Sequence, residues 1–256
     1  MPSAMTGADV TGFRYESEML PVLRAALPRL AFRHGPTDGV EIFSEVPAVH
    51  GVPDLAAIRF DRDRIQSREM AGIRPLSTDT EVRAILAIGS GASAREMAQR
   101  AGLSTDYVRR AVLPLLNDFG WIEIDARGTV TRRPEARWVG RRVVTVEAKL
   151  RDWRKALSQA RRQQLSADVP FIALDARSLR GVSEYLREIA GSGIGVIAVD
   201  GVQRRARVLI RPVPIRDPRR DVGRALLAER SLDMMNRGTR EGQIYPVFGW
   251  SQPHSI

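Results

Sequence analysis

The chain predicts an α/β fold, a mixed sheet flanked by helices with a second small unit inserted into it, and three observations carry that reading. Val143 to Leu150, VVTVEAKL, has the period-2 pattern of a strand and runs straight into a helical pattern and a further strand. Around Gly12 to Leu30, Met19, Leu20, Leu23, Ala26, Leu27 and Leu30 recur at helical spacing. Between these stretches, residues 76–134 read as three helices and a hairpin, a unit complete in itself.

Composition bounds the function. The 256 residues allow one or two domains with ample core. Cysteine is absent, which excludes disulfides and thiolate metal sites. The three histidines, His34, His50 and His254, are scattered, so no zinc cluster and no His-based nuclease motif is visible. No apolar run approaches the ~18 residues of a membrane span. The start, MPSAMTGADV, lacks the basic and apolar regions of a signal peptide, so a cytoplasmic location is expected. A net charge of +10 favours a polyanionic partner.

Taken in order, residues 1–11 form a loose tail. In the first helix Glu16 falls on the apolar stripe, where a carboxylate is costly unless paired or bound to a metal, while Glu18 lies about 150° away on the wheel. The alternative is that the helix begins after Glu16, whose side chain then caps it or faces water. Glu41 to Val49 and Val52 to Phe60 read as paired strands; Glu45 is a candidate extra ligand, and Pro53-Asp54 stands where the second strand begins. Residues 61–75 are charged, lack strand character and read as a linker.

In the inserted unit, Thr80 to Ile88 is a short amphipathic helix. Ser93-Ala-Arg-Glu96 is a capping box for a second helix through Ala101, and Gly102 supplies a turn. Ser104 or Thr105 caps a third helix with Val108, Val112, Leu115 and Phe119 on one face; Pro114 should kink or shorten it. Trp121 to Ile124 and Thr129 to Arg132 form a hairpin. This order resembles a winged helix-turn-helix. The resemblance implies that the third helix enters a major groove, with Thr105, Arg109 and Arg110 near its start, and that Arg127, Arg132 and Arg133 sit on the wing near phosphates. Eight Arg against seven acids in residues 76–134 leave a balance of only +1 there.

In VVTVEAKL, Val144, Val146, Ala148 and Leu150 point one way, and Val143, Thr145, Glu147 and Lys149 the other. Glu147 and Lys149 therefore project side by side, with Cβ atoms roughly 7 Å apart. Lysine occurs only at 149 and 155, so 38 of the 40 basic residues are Arg, and one of the two compact point charges stands beside this glutamate. A helix follows over Asp152 to Ala167, with Trp153, Ala156, Leu157 and Ala160 inward and a basic outer face. Phe171 to Leu174 is a strand, Ser178 to Ala190 a helix, Gly195 to Val199 and Arg207 to Val213 strands, and Asp221 to about Met235 a helix. The fold is thus expected to run over 12–62, pass through a linker 63–75 and the insertion 76–134, resume over 140–235 and end in a tail 236–256.

Glu16, Pro53-Asp54 and Glu147-Ala148-Lys149, followed by AKLRDWRKALSQARRQQLSADVPFIAL, resemble the PD-(D/E)XK nuclease superfamily, whose restriction-endonuclease-like sheet would host the insertion. The long segment between Asp54 and Glu147 departs from the short hairpin usual there. The resemblance implies a metal-dependent DNA endonuclease that hydrolyses phosphodiester bonds. Asp54 and Glu147 would hold Mg²⁺ or Mn²⁺, with Glu16 a further ligand, directly or through water. Lys149 would stabilise developing charge, Gln159 would orient the site, and Arg151 and Arg154 would lie along DNA. DNA is the implied partner, no membrane is, and a homodimer stays open. The alternative is a catalytically silent DNA-binding regulator, or a partner-binding module, that uses the nuclease-like core as scaffold.

Overall fold

The computed structural model describes residues 12–32, 38–181, 185–213 and 220–242. A 3-10 turn, Glu16–Met19, leads into α1 (Leu20–Ala31); β1 (Val40–Ser44), β2 (Leu55–Phe60) and α2 (Arg62–Met70) follow. Next come α3 (Asp79–Ile88), α4 (Ala94–Ala101) and α5 (Thr105–Tyr107). The last continues through a π-helical segment, Val108–Val112, into α6 (Leu113–Asp118). The hairpin strands β3 (Ile122–Ile124) and β4 (Val130–Arg132) close this unit. Then come β5 (Gly140–Lys149), α7 (Trp153–Gln163), β6 (Val169–Asp175), α8 (Leu186–Gly191), β7 (Gly195–Asp200), β8 (Arg205–Ile210) and α9 (Arg220–Asn236).

Six strands form one mixed sheet in the order β1-β2-β5-β6-β7-β8. The β1, β2 and β5 neighbours pair antiparallel, β5, β6 and β7 run parallel, and β8 returns antiparallel. The alternation along β5 sets its two faces. Val144, Val146 and Ala148 pack with Leu23 and Leu27 of α1, while Val143 joins Leu227 and Ala228 of α9 on the other side. Helix α7 covers that second face, with Trp153, Ala156, Leu157 and Ala160 against Ile172 and Leu174. The glycine at 140 lets α9 come close, since a Cβ there would meet that of Ala228 at 2.6 Å. No helix among the described residues is long and apolar enough to cross a membrane.

Residues 76–134 build their own core around Val82, Ile85, Met97, Val108, Val112, Leu116, Trp121 and Val130, which also takes in Ala225 and Leu226 of α9. The expected Ser93–Glu96 capping box opens α4, and a second one that was not expected, Thr78 with Glu81, opens α3. Gly102, at φ 69° and ψ 37°, ends α4 in the left-handed region open to glycine. Ser104, rather than Thr105, caps the third helix by accepting the Tyr107 N–H.

Several boundaries differ from expectation, each for a physical reason. Pro114 does not break its helix: in the π segment just before it, the Leu113 N–H reaches back five residues to the Val108 carbonyl. That wider turn bridges the ladder position where proline offers no N–H. It also rotates the apolar face by one residue. Leu113 and Leu116 are buried after Val108 and Val112, while Leu115 is exposed and Phe119 half-buried. The 61–75 stretch is no plain linker. Asp61 caps α2 by accepting the Arg64 N–H, and Ile65 and Arg68 are buried. The β1 strand stops at Ser44 because Glu45 takes a left-handed conformation, φ 54°. The stretch 178–190 holds a 3-10 turn, Ser178–Gly181, and α8 rather than one helix. In the tail, Arg240 to Gly242 attach to β1 through Ser44, and residues 243–256 lie outside the described residues.

Candidate functional site

The antiparallel register pairs Leu55 with Val146, so extending it by one residue sets Asp54 opposite Glu147 on the same sheet face. Asp54 is fixed there by a 2.7 Å hydrogen bond that its Oδ2 accepts from the Ala148 N–H. Two residues along, Lys149 leaves the end of β5. Its Nζ donates to Glu16 Oε2 at 2.8 Å and to the Ala148 carbonyl at 2.9 Å, and lies 3.8 Å from Asp54 Oδ2. Residues 16, 54, 147 and 149 therefore meet at one end of the sheet, brought there by the turn before α1, the start of β2 and the end of β5.

Glu16 arrives differently from the helical-wheel expectation. Helix α1 begins after it, and the glutamate is exposed in the 3-10 turn rather than set on the apolar stripe. The alternative, a helix starting after Glu16, is the one adopted, and the freed side chain reaches Lys149. Glu18 turns back to accept the Arg14 N–H at 2.6 Å, which, with the Tyr15 N–H, holds its carboxyl below the usual range.

Glu147 is 1% exposed. Its Oε1 accepts a hydrogen bond from the Gln163 side-chain amide, and its Oε2 is buried with no partner among the described residues. Burial, then the neighbouring Asp54 charge, push its carboxyl up to about 8. Asp54 is likewise raised, chiefly by burial, against the opposing Ala148 amide and Lys149. Burial pushes the Lys149 ammonium down, but the Glu16 hydrogen bond and the surrounding carboxylates outweigh it and hold its pKa above the ordinary value.

Gln159 does not reach this cluster. Its Oε1 is buried and unpartnered, and Gln163, one turn on, makes the contact to Glu147 instead. A signal for Gln163 existed: the inward stripe Trp153, Ala156, Leu157, Ala160 continues at position 163, where a polar residue must find a buried partner. Glu45 makes no hydrogen bond to the cluster among the described residues.

The donor set is one of hard oxygens and an ammonium, which suits a divalent cation of the Mg²⁺ type. Among the described residues no group of three or more His, Cys, Asp or Glu side chains stands ready to hold an ion. Two carboxylates raised chiefly by burial, with the Asp54 charge adding to the shift of Glu147, whose Oε2 is buried and unpartnered, nevertheless fit such an ion, because a cation relieves both costs. With its carboxyl pushed up to about 8, Glu147 favours the protonated form at neutral pH, so a metal ion held there would have to displace a proton. Mn²⁺ affinity should therefore rise about tenfold per pH unit up to about 8 and level off above. Calorimetric titrations from pH 6 to 9 in buffers of different ionisation heat would read both the affinity and the released proton; a flat profile would remove Glu147 from the ligand set. The sign for folding is opposite. A carboxyl raised from 4.5 to about 8 contributes stability that is full below pH 4.5 and lost as pH rises through about 8.

The residues expected to meet DNA are spread over two surfaces. Thr105 is half-buried at the start of the third helix and Arg109 is exposed beyond it; Arg110 is exposed too but pairs with Asp106 at 2.8 Å. Arg127 and Arg132 are exposed on the hairpin, while Arg133 faces Glu123 at 3.4 Å. Arg151 and Arg154 are exposed at the start of α7. Set against family models, curated proteins and solved structures, the chain finds no match in any of the three.

Proposed function

We propose that the protein is a divalent-metal-dependent DNA endonuclease of the PD-(D/E)XK kind, with a restriction-endonuclease-like core and an inserted winged helix-turn-helix. The observation that carries the reading is the convergence of Glu16, Asp54, Glu147 and Lys149, with the ammonium 2.8 Å from one carboxylate and 3.8 Å from another. In this reading Asp54 and Glu147 hold the ion, and Glu16 joins directly or through water. When bound, Mg²⁺ or Mn²⁺ supplies Lewis-acid charge and lowers the pKa of water beside it. The chain's own groups do the rest. The Ala148 amide and Gln163 each commit one oxygen of Asp54 and Glu147, which orients the other. Lys149 offers a positive charge to a phosphate oxygen as negative charge grows on it. Glu16 keeps that ammonium charged and aimed.

A second reading, the catalytically silent regulator, draws on Lys149 being already engaged by Glu16 and the Ala148 carbonyl. Incubation with plasmid, linear and branched DNA, with Mg²⁺, Mn²⁺ or chelator, separates the two. Metal-dependent cleavage supports the nuclease; intact DNA in every condition hands the site to the regulator.

Targeting is assigned to the inserted unit, whose order of three helices and hairpin supports the winged-helix reading. Arg109→Ala should weaken binding more than Arg110→Ala, because Arg110 already spends its charge on Asp106. A base contact is worth about 1–3 kcal/mol, and a lost phosphate contact lowers the salt slope by about one. Both side chains are exposed, so neither variant should unfold. Duplex binding over a salt series is the measurement, and unchanged affinity and slope in the double variant would turn the unit into a protein-contact element.

A further inference from the structure

The outer face of α7 borders a cleft of about 440 Å³ lined by Trp153, Arg154, Leu157, Arg161, Arg162 and Glu188. Arg154, Arg161 and Arg162 recur at the i, i+7 and i+8 spacing along the helix, and the buried Trp153 and Leu157 lie at the floor of the cleft. Three guanidiniums face one carboxylate there, and that carboxylate is only loosely paired, 3.8 Å from Arg161. Arg154 is held unusually well for an exposed arginine. Its guanidinium carbon lies 4.6 Å from the Trp153 ring centre and 4.9 Å from that of Tyr185. The two rings stand 4.6 Å apart, tilted by 31°. No hydrogen bond or ion pair engages Arg154 among the described residues. The helix that lines the cleft also serves the carboxylate cluster: α7 begins four residues after Lys149, and its Gln163 donates to Glu147.

We propose that this cleft holds an unpaired nucleotide of a DNA strand, its base stacked on the Arg154 plane and its phosphate met by Arg161 and Arg162, so that the substrate carries a single-stranded segment next to the cleavage point. The proposal rests on the reading of DNA as the partner and adds the form of DNA. Three features of the cleft select a single strand. A planar cation backed by two rings is a stacking platform, which a splayed base can use and a base already stacked in a duplex cannot. The recess, about 440 Å³, has room for one nucleotide and is too small for a duplex. Its charge is written in guanidiniums, which stack as well as bind phosphate.

The test uses the full chain with chelator, so that binding is read without cleavage. Labelled probes are a blunt duplex, the same duplex with a single-stranded overhang, and that overhang with abasic sites. The overhang should bind roughly tenfold tighter than the blunt duplex and lose most of that gain when abasic. Arg154→Ala should erase the advantage, lowering overhang affinity by far more than blunt-duplex affinity. Arg154→Lys keeps the charge, so it should retain the salt dependence and still lose the preference for base-bearing over abasic overhang. No overhang preference in the unaltered protein, or an equal loss on blunt and overhang probes in Arg154→Ala, would overturn the proposal. Cleavage is scored apart. An overhang preference without cleavage of any DNA would keep this inference and remove the nuclease; cleavage without the preference would do the reverse.

Discussion

Asp54→Ala and Lys149→Ala are each expected to abolish DNA cleavage while leaving DNA affinity close to that of the unaltered chain. Asp54 is one of the two carboxylates placed opposite each other across β2 and β5, and a divalent ion needs both to offset their cost of burial. Removing the Lys149 ammonium takes away the side-chain cation that meets both Glu16 and Asp54, and losing a group aimed at developing charge costs about 10²–10³ in rate. Affinity should survive because the proposed phosphate contacts would come from arginines elsewhere. Glu16→Ala should slow cleavage more than Glu18→Ala, since Glu16 orients Lys149 whereas Glu18 only caps the turn at Arg14 and Tyr15. Gel assays of cleavage beside anisotropy of binding would decide, and full cleavage by either the Asp54 or the Lys149 variant would show the site to be misassigned.

Glu229→Ala is expected to destabilise the protein by about 3–5 kcal/mol, enough to unfold much of it at ordinary temperature. Arg68 and Glu229 meet through two parallel 2.8 Å hydrogen bonds with both side chains out of water. The Leu76 N–H also donates to Glu229, and the Arg68 guanidinium lies 4.5 Å from the Trp121 ring centre. Truncating Glu229 strands a buried cation and an amide at once. The pair itself adds little beyond a well-packed apolar substitute, so the double variant Arg68→Met with Glu229→Leu should recover most of the loss. Urea unfolding of both would settle it, and a loss below about 1 kcal/mol in Glu229→Ala would mean that water reaches the pair.

The sheet and the site were legible unequally. Strand β5 was readable residue by residue, because period-2 alternation needs no distant information and Val144, Val146 and Ala148 all turn to α1. The Ser93 capping box and the Gly102 turn were readable for the same local reason. Helix α2 was not: its charged sequence shows almost no apolar face, and burying Arg68 makes sense only with Glu229, 161 residues later. The π segment was hidden as well, since Pro114 announces a broken hydrogen bond but not which wider turn absorbs it. At the site, Asp54, Glu147 and Lys149 were found by type and spacing. Glu16 was found on the wrong geometry, and Gln163 was passed over for Gln159 because only the stripe along α7 tells the two apart.

Helix α9 lends Ala225 and Leu226 to the inserted unit and Leu227 and Ala228 to the sheet. Adjacent residues of a single rod thus serve two cores, and the buried Arg68–Glu229 pair pins the same rod to α2. The inserted unit is therefore no head on a leash. If it reads a sequence and the core cleaves as proposed, the scissile bond would fall a set number of base steps away, measured by the helix like a carpenter's gauge, and lengthening a connecting loop would leave that offset unchanged.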